Sequence, residues 1–244
     1  MAFRRHDRLY GQAALVTGSS RGLGMLIAGE LARRGCGVML CARDGDELER
    51  AERSLREEGA RVRSMVADLT DPQAAERLVA GTTQAFGGLD VLVNNAGVIQ
   101  VGPLEAMTED DFRAAMEIMY FAPLRLTLAA LEGMRGNGGG RIVNITSIGG
   151  RIAAPHLLPY DAAKFAAVGL SEGLRAELAG KGVSVTTVLP GLMRTGSHAA
   201  ARFSGQAGRE YAWFAIAAGM PLLSMDARRA ARAIVRAAER RRPE

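Results

Sequence analysis

Short apolar runs alternate along the chain with longer stretches of helical spacing. The runs at 13–17, 37–42, 62–67, 89–94, 141–146 and 183–189 read as buried strands. Between and after them, 23–34, 46–58, 72–86, 109–134, 160–179 and 226–240 read as helices. Pro72 after Asp71, and Thr108 before Glu109-Asp110-Asp111, supply helix-start signals. Alternation of this kind predicts an α/β fold, a doubly wound parallel sheet with helices on both faces. Such sheets bind ligands beyond the carboxyl ends of their strands. The pattern shows no internal repeat or second domain, so residues 1–244 read as a single domain with an N-terminal tail at 1–10.

Several chemistry-bearing residues fall at that carboxyl edge. Thr17-Gly18-Ser19-Ser20-Arg21-Gly22-Leu23-Gly24 follows the first strand and opens an apolar helix. Glycines there let backbone approach a pyrophosphate, whose charge favours a helix N-terminus. The spacing is G-x-x-x-G-x-G, not the G-x-G-x-x-G of most dinucleotide folds. Asn94-Asn95-Ala96-Gly97 ends the fourth run, Ser147 ends the fifth, and Pro190-Gly191 follow the sixth. Tyr160 lies thirteen residues after Ser147 and four before Lys164, one of only two lysines beside 29 arginines. Residues four apart share a helical face, so phenol and ammonium point at one spot. A cation beside the phenol favours its ionised form and is expected to lower the Tyr160 pKa towards the working range of a general acid.

Composition narrows the picture. A 48% apolar chain of 244 residues can bury a sizeable core. No uninterrupted apolar run reaches the roughly 18 residues of a membrane span, and no apolar signal segment follows the charged start, so a cytoplasmic protein without a membrane partner is expected. The net charge of +5 is mostly arginine spread along helices, without an aromatic-interleaved basic platform, which argues against a nucleic-acid partner. Cys36 and Cys41 read as buried structural residues, and three scattered histidines suggest no metal.

In order and spacing, the glycine loop, Asn94-Asn95-Ala96-Gly97, Ser147 and Tyr160-x-x-x-Lys164 resemble the short-chain dehydrogenase/reductase family, from about Gly11 to the last helix. The resemblance implies a Rossmann-like fold and hydride transfer between a nicotinamide and a carbonyl carbon. Ser147 would hydrogen-bond the substrate oxygen, Tyr160 would deliver the proton, and Lys164 would assist Tyr160 and hold the nicotinamide ribose. Cofactor contacts would come from Gly18, Ser20, Arg21, Gly22, Leu23, Gly24, Arg43, Asp68, Leu69, Asn95, Ala96, Gly97, Tyr160, Lys164, Pro190, Gly191 and Thr195. The resemblance places Asp68 on the adenine amino group and Thr195 on the carboxamide, although Asp68 also reads as a plain turn aspartate. Arg21 and Arg43, with Ala42 where NAD-selecting relatives carry an acid, point to NADP (as NADPH) over NAD, while Asp44 argues slightly the other way.

Two departures accompany the resemblance. The family's fourth catalytic position, an asparagine 28 residues before the serine, is Met119 here. In relatives that asparagine shapes a helix distortion, and its main-chain carbonyl holds a water linking the lysine to solvent. With methionine, turnover is expected to fall unless other contacts hold the helix open. The family's seventh strand after the last helix is also expected to be missing, in a chain either shortened or ending early. The resemblance further implies a homodimer or homotetramer and a small-molecule carbonyl or alcohol substrate, with Ser147, His156 and Trp213 as candidate contacts. Residues 196–222, which carry Phe203, Tyr211, Trp213, Phe214 and Met220, read equally as a substrate lid, an oligomer contact or internal packing. A cofactor-binding sensor or scaffold on the same fold is the alternative to an enzyme.

Overall fold

A computed structural model describes residues 9–191, 193–194, 202–204 and 225–244. The main elements are β1 (Ala13–Thr17), α1 (Gly22–Arg33), β2 (Gly37–Ala42), α2 (Gly45–Glu57), β3 (Val62–Val66), α3 (Ala74–Phe86) and β4 (Val91–Asn94). A short strand, β5 (Gln100–Val101), then leads to α4 (Glu109–Met116), a π turn (Glu117–Phe121), α5 (Ala122–Gly136) and β6 (Gly140–Ile145). The chain continues through α6 (Leu158–Glu177), β7 (Val183–Val188), the two-residue strands β8 (Met193–Arg194), β9 (Arg202–Phe203) and β10 (Met225–Asp226), and α7 (Ala227–Glu239).

Six strands form one parallel sheet in the order β3-β2-β1-β4-β6-β7. From β1 the chain builds outwards to β3 and then restarts on the other side at β4, so a crevice opens between the carboxyl ends of β1 and β4. Alternate side chains divide the core into two layers. Ala14, Val16, Val38, Leu40, Val91, Val93, Val143 and Ile145 pack under α1, α2 and α7. Leu15, Met39, Cys41, Leu92, Ile142 and Val185 face α3 and α5. Burial on both faces explains why the strands read as unbroken apolar runs.

Local chemistry accounts for most element ends. Thr108 and Asp111 form a reciprocal capping box at the start of α4. Helix α3 begins at Ala74 rather than Pro72, because Asp71 first closes a turn by accepting from Gln73 N (2.9 Å). Residues 1–8 of the expected tail lie outside the described residues; Leu9 is buried in the core. After α7, Pro243 O accepts from Thr187 N (2.9 Å) and Arg242 O from Thr186 Oγ1 (2.6 Å), placing the last residues beside β7 without forming a seventh strand.

The expected continuous helix over 109–134 is interrupted. At the π turn, Ala122 N donates to Glu117 O, one residue beyond the α-helical partner. The cause is in the sequence: Pro123, four residues after Met119, has no N–H, and its ring crowds the i−4 carbonyl. A proline inside a helix costs about 3 kcal/mol, whereas the half-exposed Glu117–Arg125 ion pair across the turn contributes no more than about 1 kcal/mol. Proline therefore dominates. By length and composition Glu109–Gly136 is apolar enough to cross a bilayer, but it buries Ala122, Leu126, Ala130 and Met134 against the sheet as a core helix.

A buried arginine ties β6 to α7. Arg141 is 1% exposed, with Nε donating to Ala238 O (3.1 Å) and Nη1 to Gln12 Oε1 (2.9 Å). Removing a fully buried charged partner strands the polar groups it served. Arg141→Met is expected to lower stability by about 3 kcal/mol, read as a reduced urea midpoint; an unchanged midpoint would show that this tie carries no stability.

Candidate active site

The glycine loop lies at the mouth of the β1/β4 crevice and is fixed from below. Gly18 has φ +62°, and a Cβ there would come within 2.9 Å of Ala96 Cα. A side chain at Gly24 would collide with the Gly18 carbonyl and with Asn95 Nδ2. Asn95 Nδ2 donates to the carbonyls of Thr17 (2.9 Å) and Gly18 (3.0 Å), and Asn95 N and Ala96 N donate to Thr17 Oγ1. Ser19, fully buried, accepts from Cys41 N and donates to Val16 O, tying the loop to β2.

The loop fits a dinucleotide phosphate. Helix α1 has no side-chain cap on its first N–H groups and no acid in its first turn, which leaves the positive end of the helix available to an anion. At the end of β3, Val66 is 61% exposed and Leu69 is buried. Asp68 is exposed, and its Oδ1 accepts from Thr70 N (3.0 Å) and Thr70 Oγ1 (2.9 Å). Those bonds, with Arg43 nearby, hold its carboxyl below the ordinary range. The turn role is thus realised for one of its two oxygens.

Charge is arranged around the loop in opposition. Arg43 is exposed after β2, and Asp44 serves as the α2 N-cap by accepting from Glu47 N (2.9 Å). Arg21 Nη1 donates to Glu47 Oε1 (2.6 Å), and Ser20 Oγ donates to Glu47 Oε2 (3.1 Å). Glu47, which sequence reasoning missed, thus occupies two groups assigned to the cofactor. Nothing local in its helix turn signals a partner 26 residues away.

On the other side of the crevice, Ser147, Tyr160 and Lys164 come together. Ser147 follows β6, is nearly buried, and accepts from Gly149 N (3.0 Å). Ser147 Oγ and the Tyr160 ring approach the same point beside Gly149, and the nearby Ser147 hydroxyl draws the Tyr160 pKa down. Lys164 Nζ is buried, donates to Ile145 O (2.9 Å), and lies 5.7 Å from the centre of the Tyr160 ring. A Cβ on Gly149 would meet Asp161 Oδ1 at 2.6 Å, and Ser147 Oγ and Tyr160 Cε1 at 3.3 Å. Only glycine fits among these three groups.

The electrostatics depart from the expected pull of the lysine. Burial raises the Tyr160 pKa, with the Ser147 hydrogen bond opposing it and the Asp161 charge adding to it. Lys164 is itself lowered to about 8, by burial. Desolvation is therefore the largest cause for both groups. Asp161, also missed from sequence, is buried; Oδ2 accepts from Ala154 N (2.7 Å), and Oδ1 has no hydrogen-bond partner among the described residues. Burial holds its carboxyl above the ordinary range.

Behind Lys164 lies a second polar element. Asn94 Nδ2 donates to Asn144 Oδ1 (2.8 Å), Asn144 Nδ2 donates to Ser171 Oγ (2.9 Å), and Ser171 Oγ meets Thr187 Oγ1 (2.8 Å). Asn94 Oδ1 is buried without a hydrogen-bond partner among the described residues. With Met119, Pro123, Asn144 and Lys164 it lines a cavity with about 10 Å³ open to the centre of a water molecule, the space of roughly one water.

The remaining candidates divide. Gly22 and Leu23 begin α1, Gly97 lies under Lys164 Nζ, and Pro190 and Gly191 follow β7 at the same edge. His156 is exposed on the loop between Ser147 and Tyr160, with φ +66°, and its carbonyl accepts from Gly102 N (2.9 Å). Thr195, Tyr211, Trp213, Phe214 and Met220 lie outside the described residues. Within the expected lid, Arg202–Phe203 pairs with β5; on either side of it, β8 pairs with β10. The two cysteines are free and buried, with both thiols pushed up to about 12, mainly by burial.

Comparison with known proteins agrees with this geometry. Residues 12–204 match the family model described as short chain dehydrogenase. The 3-oxoacyl-[acyl-carrier-protein] reductase FabG of Vibrio cholerae is 36% identical over 187 residues, covering 77% of this chain and 75% of the reductase. A short chain dehydrogenase/reductase from Burkholderia phymatum, solved with NAD, superposes with a TM-score of 0.89 at 25% identity over 96% of this chain and 88% of the other. A metagenomic short-chain oxidoreductase, solved with NADP, gives 0.71 at 36% identity over 76% and 84%. With its sheet order, its phosphate-fitting glycine loop and its Ser147–Tyr160–Lys164 cluster, the chain belongs to the short-chain dehydrogenase/reductase family, whose members are oxidoreductases acting on CH–OH or carbonyl groups with a nicotinamide cofactor.

Proposed function

We propose that the protein is an NADP-dependent oxidoreductase that transfers a hydride between the nicotinamide and the carbonyl or secondary alcohol of an apolar or amphipathic small molecule. The observation that carries this reading is the convergence of Ser147 and Tyr160 on Gly149, with Lys164 beneath them. When bound, the nicotinamide supplies or accepts the hydride. Ser147 donates a hydrogen bond to the substrate oxygen as negative charge grows on it. Tyr160 delivers the proton that completes the alcohol, and takes it back in the oxidising direction. Lys164 replaces that proton from its ammonium and holds the ribose. Ser20, Arg21, the loop amides, Asn95, Ala96 and Gly97 would line the cofactor, with Pro190, Gly191 and Thr195 on the nicotinamide side.

Free buried cysteines support a reducing, cytoplasmic setting. Exposed apolar side chains on neighbouring helices, Phe121 (40%), Leu128 (60%) and Phe165 (45%), support a homodimer or homotetramer. His156 and Trp213 complete the proposed substrate contacts.

Purified protein is expected to consume NADPH with members of a broad ketone and aldehyde panel, and Tyr160→Phe is expected to remove more than 99% of that rate, roughly the lower limit of general-acid catalysis. Tight NADPH binding without turnover on any carbonyl would instead support a sensor or scaffold. The pH dependence follows from Lys164: its charged form, needed for proton supply, is lost as pH rises through about 8. The rate of carbonyl reduction is therefore expected to fall above about pH 8, and a rate flat to pH 10, near the ordinary lysine value, would contradict this role.

NADP preference rests on Arg21 and Arg43 beside Ala42, with Glu47 opposing it. A 2′-phosphate must draw Arg21 away from an exposed ion pair, a modest cost. NADPH is expected to bind about tenfold tighter than NADH, and Glu47→Gln to widen that gap by about threefold. Fluorescence titration measures both constants. Equal affinities in the wild-type protein would overturn the preference, and an unchanged gap in Glu47→Gln would remove Glu47 from it.

A further inference from the structure

Asp161 is a buried acid beside the reacting groups to which the reaction scheme gives no work. We propose that Asp161 is a positioning residue that ties down the loop between Ser147 and Tyr160 and, by its negative charge, keeps the Tyr160 phenol protonated until a carbonyl substrate takes the proton. The inference rests on the reading of Tyr160 as the proton donor.

The carboxyl is 2% exposed, in the first turn of α6. Its two oxygens have different surroundings. Oδ2 accepts from Ala154 N (2.7 Å), which ties the loop to the helix that carries Tyr160. Oδ1 is buried without a hydrogen-bond partner among the described residues. A Cβ on Gly149 would meet this oxygen at 2.6 Å, with Ser147 Oγ and Tyr160 Cε1 each 3.3 Å from the same point. Glycine leaves no side chain to screen the three from one another. A tie to Ala154 N alone needs only a neutral acceptor, such as an asparagine or serine oxygen. A buried carboxylate is harder to desolvate, so the charge calls for a use of its own.

The Ala154 N–H and the positive end of α6 favour the ionised form of Asp161, against the burial that opposes it. Other charges around it are paired or exposed. On α6, Lys164 Nζ donates to Ile145 O. Residues 148–150 carry no titratable group, Arg151 pairs with Glu172, and His156 is exposed. From α4 and the π turn, Ala115, Met116, Ile118 and Met119 pack on Tyr160 and Ala163, and Glu117 pairs with Arg125. A phenolate here would place a second negative charge in the same buried space, and the Asp161 charge accordingly adds to burial in raising the Tyr160 pKa. In reduction the phenol O–H breaks, its proton joins the substrate oxygen, and the hydride of NADPH joins the carbonyl carbon. In oxidation the phenolate must form first, to take the alcohol proton as the hydride leaves for NADP. Asp161 thereby sets the pH above which alcohol oxidation reaches its full rate.

Protein labelled with carbon-13 at tyrosine Cζ tests the charge without substrate or cofactor, and Tyr160→Phe identifies the Tyr160 resonance among four tyrosines. In Asp161→Asn, which keeps an acceptor for Ala154 N, the Tyr160 titration midpoint is expected to fall by about one pH unit. With an alcohol that the protein oxidises, the midpoint of the rise in kcat/KM with pH is expected to fall by the same amount. Asp161→Ala is expected to show the same shift and, having lost the loop tie, a KM about fivefold above that of Asp161→Asn, the effect of one hydrogen bond. It decides the charge effect if Asp161→Asn does not fold. A Tyr160 midpoint unchanged in these variants, as a protonated Asp161 would give, overturns the proposal; equal KM values in the two variants overturn the loop tie. A wild-type protein that turns over no carbonyl or alcohol would defeat the oxidoreductase reading, and the labelled resonance would still decide whether Asp161 holds the proton on Tyr160.

Discussion

Burying the ammonium of Lys164 is the most demanding requirement in this fold, and much of the surrounding chain is arranged around it. A charge so deep in protein shifts its own pKa, here to about 8. It is anchored by the Ile145 carbonyl at the end of β6, which ties α6 to the strand that also delivers Ser147 two residues later. One helical turn earlier on α6, the same packing sets Tyr160 against Ser147. One glycine makes room: a Cβ on Gly150 would meet the Lys164 carbonyl at 2.7 Å. An inward displacement of any of these backbones would strand a buried charge.

The cofactor side rests on a different physical device. Asn95 and Thr17 clamp the glycine loop by hydrogen bonds alone, so that the uncapped end of α1 faces the crevice. Around that fixed frame the charges are mutually opposed, with Arg21 held by Glu47 rather than waiting free. Selectivity for a phosphate in such a place is a difference between two sets of contacts, one of which must be broken. A backbone fixed by hydrogen bonds and a set of exposed, paired charges are thus separated by only a few residues.

Much of this was legible in the sequence because it is local. Each apolar run became a strand within a residue or two, since a sheet covered on both faces requires continuous apolar sequence. Tyr160 and Lys164 were paired by helical spacing, and Ser147 by its place at a strand end. The missed features depend on partners far along the chain. The chain from Asn94 through Asn144 and Ser171 to Thr187 joins three strands and a helix, and no window of sequence contains it. The Arg21–Glu47 pair likewise forms only once β1 and β2 lie side by side. The π turn is an instructive failure: Pro123 was present in the sequence, but apolar periodicity reads through a single widened turn. The expected depression of the Tyr160 pKa also reversed, because spacing reports proximity but not desolvation.

Hydride transfer at this site is tested most directly by following the hydrogen itself. NADPH deuterated at C4, prepared separately on each face of the ring, would be incubated with the protein and a carbonyl that it reduces, and the alcohol analysed by mass spectrometry and NMR. One face is expected to deliver deuterium to the carbinol carbon, while the other leaves the label on the oxidised cofactor. Product without deuterium from either face, or label exchanged into water, would contradict direct transfer between cofactor and substrate.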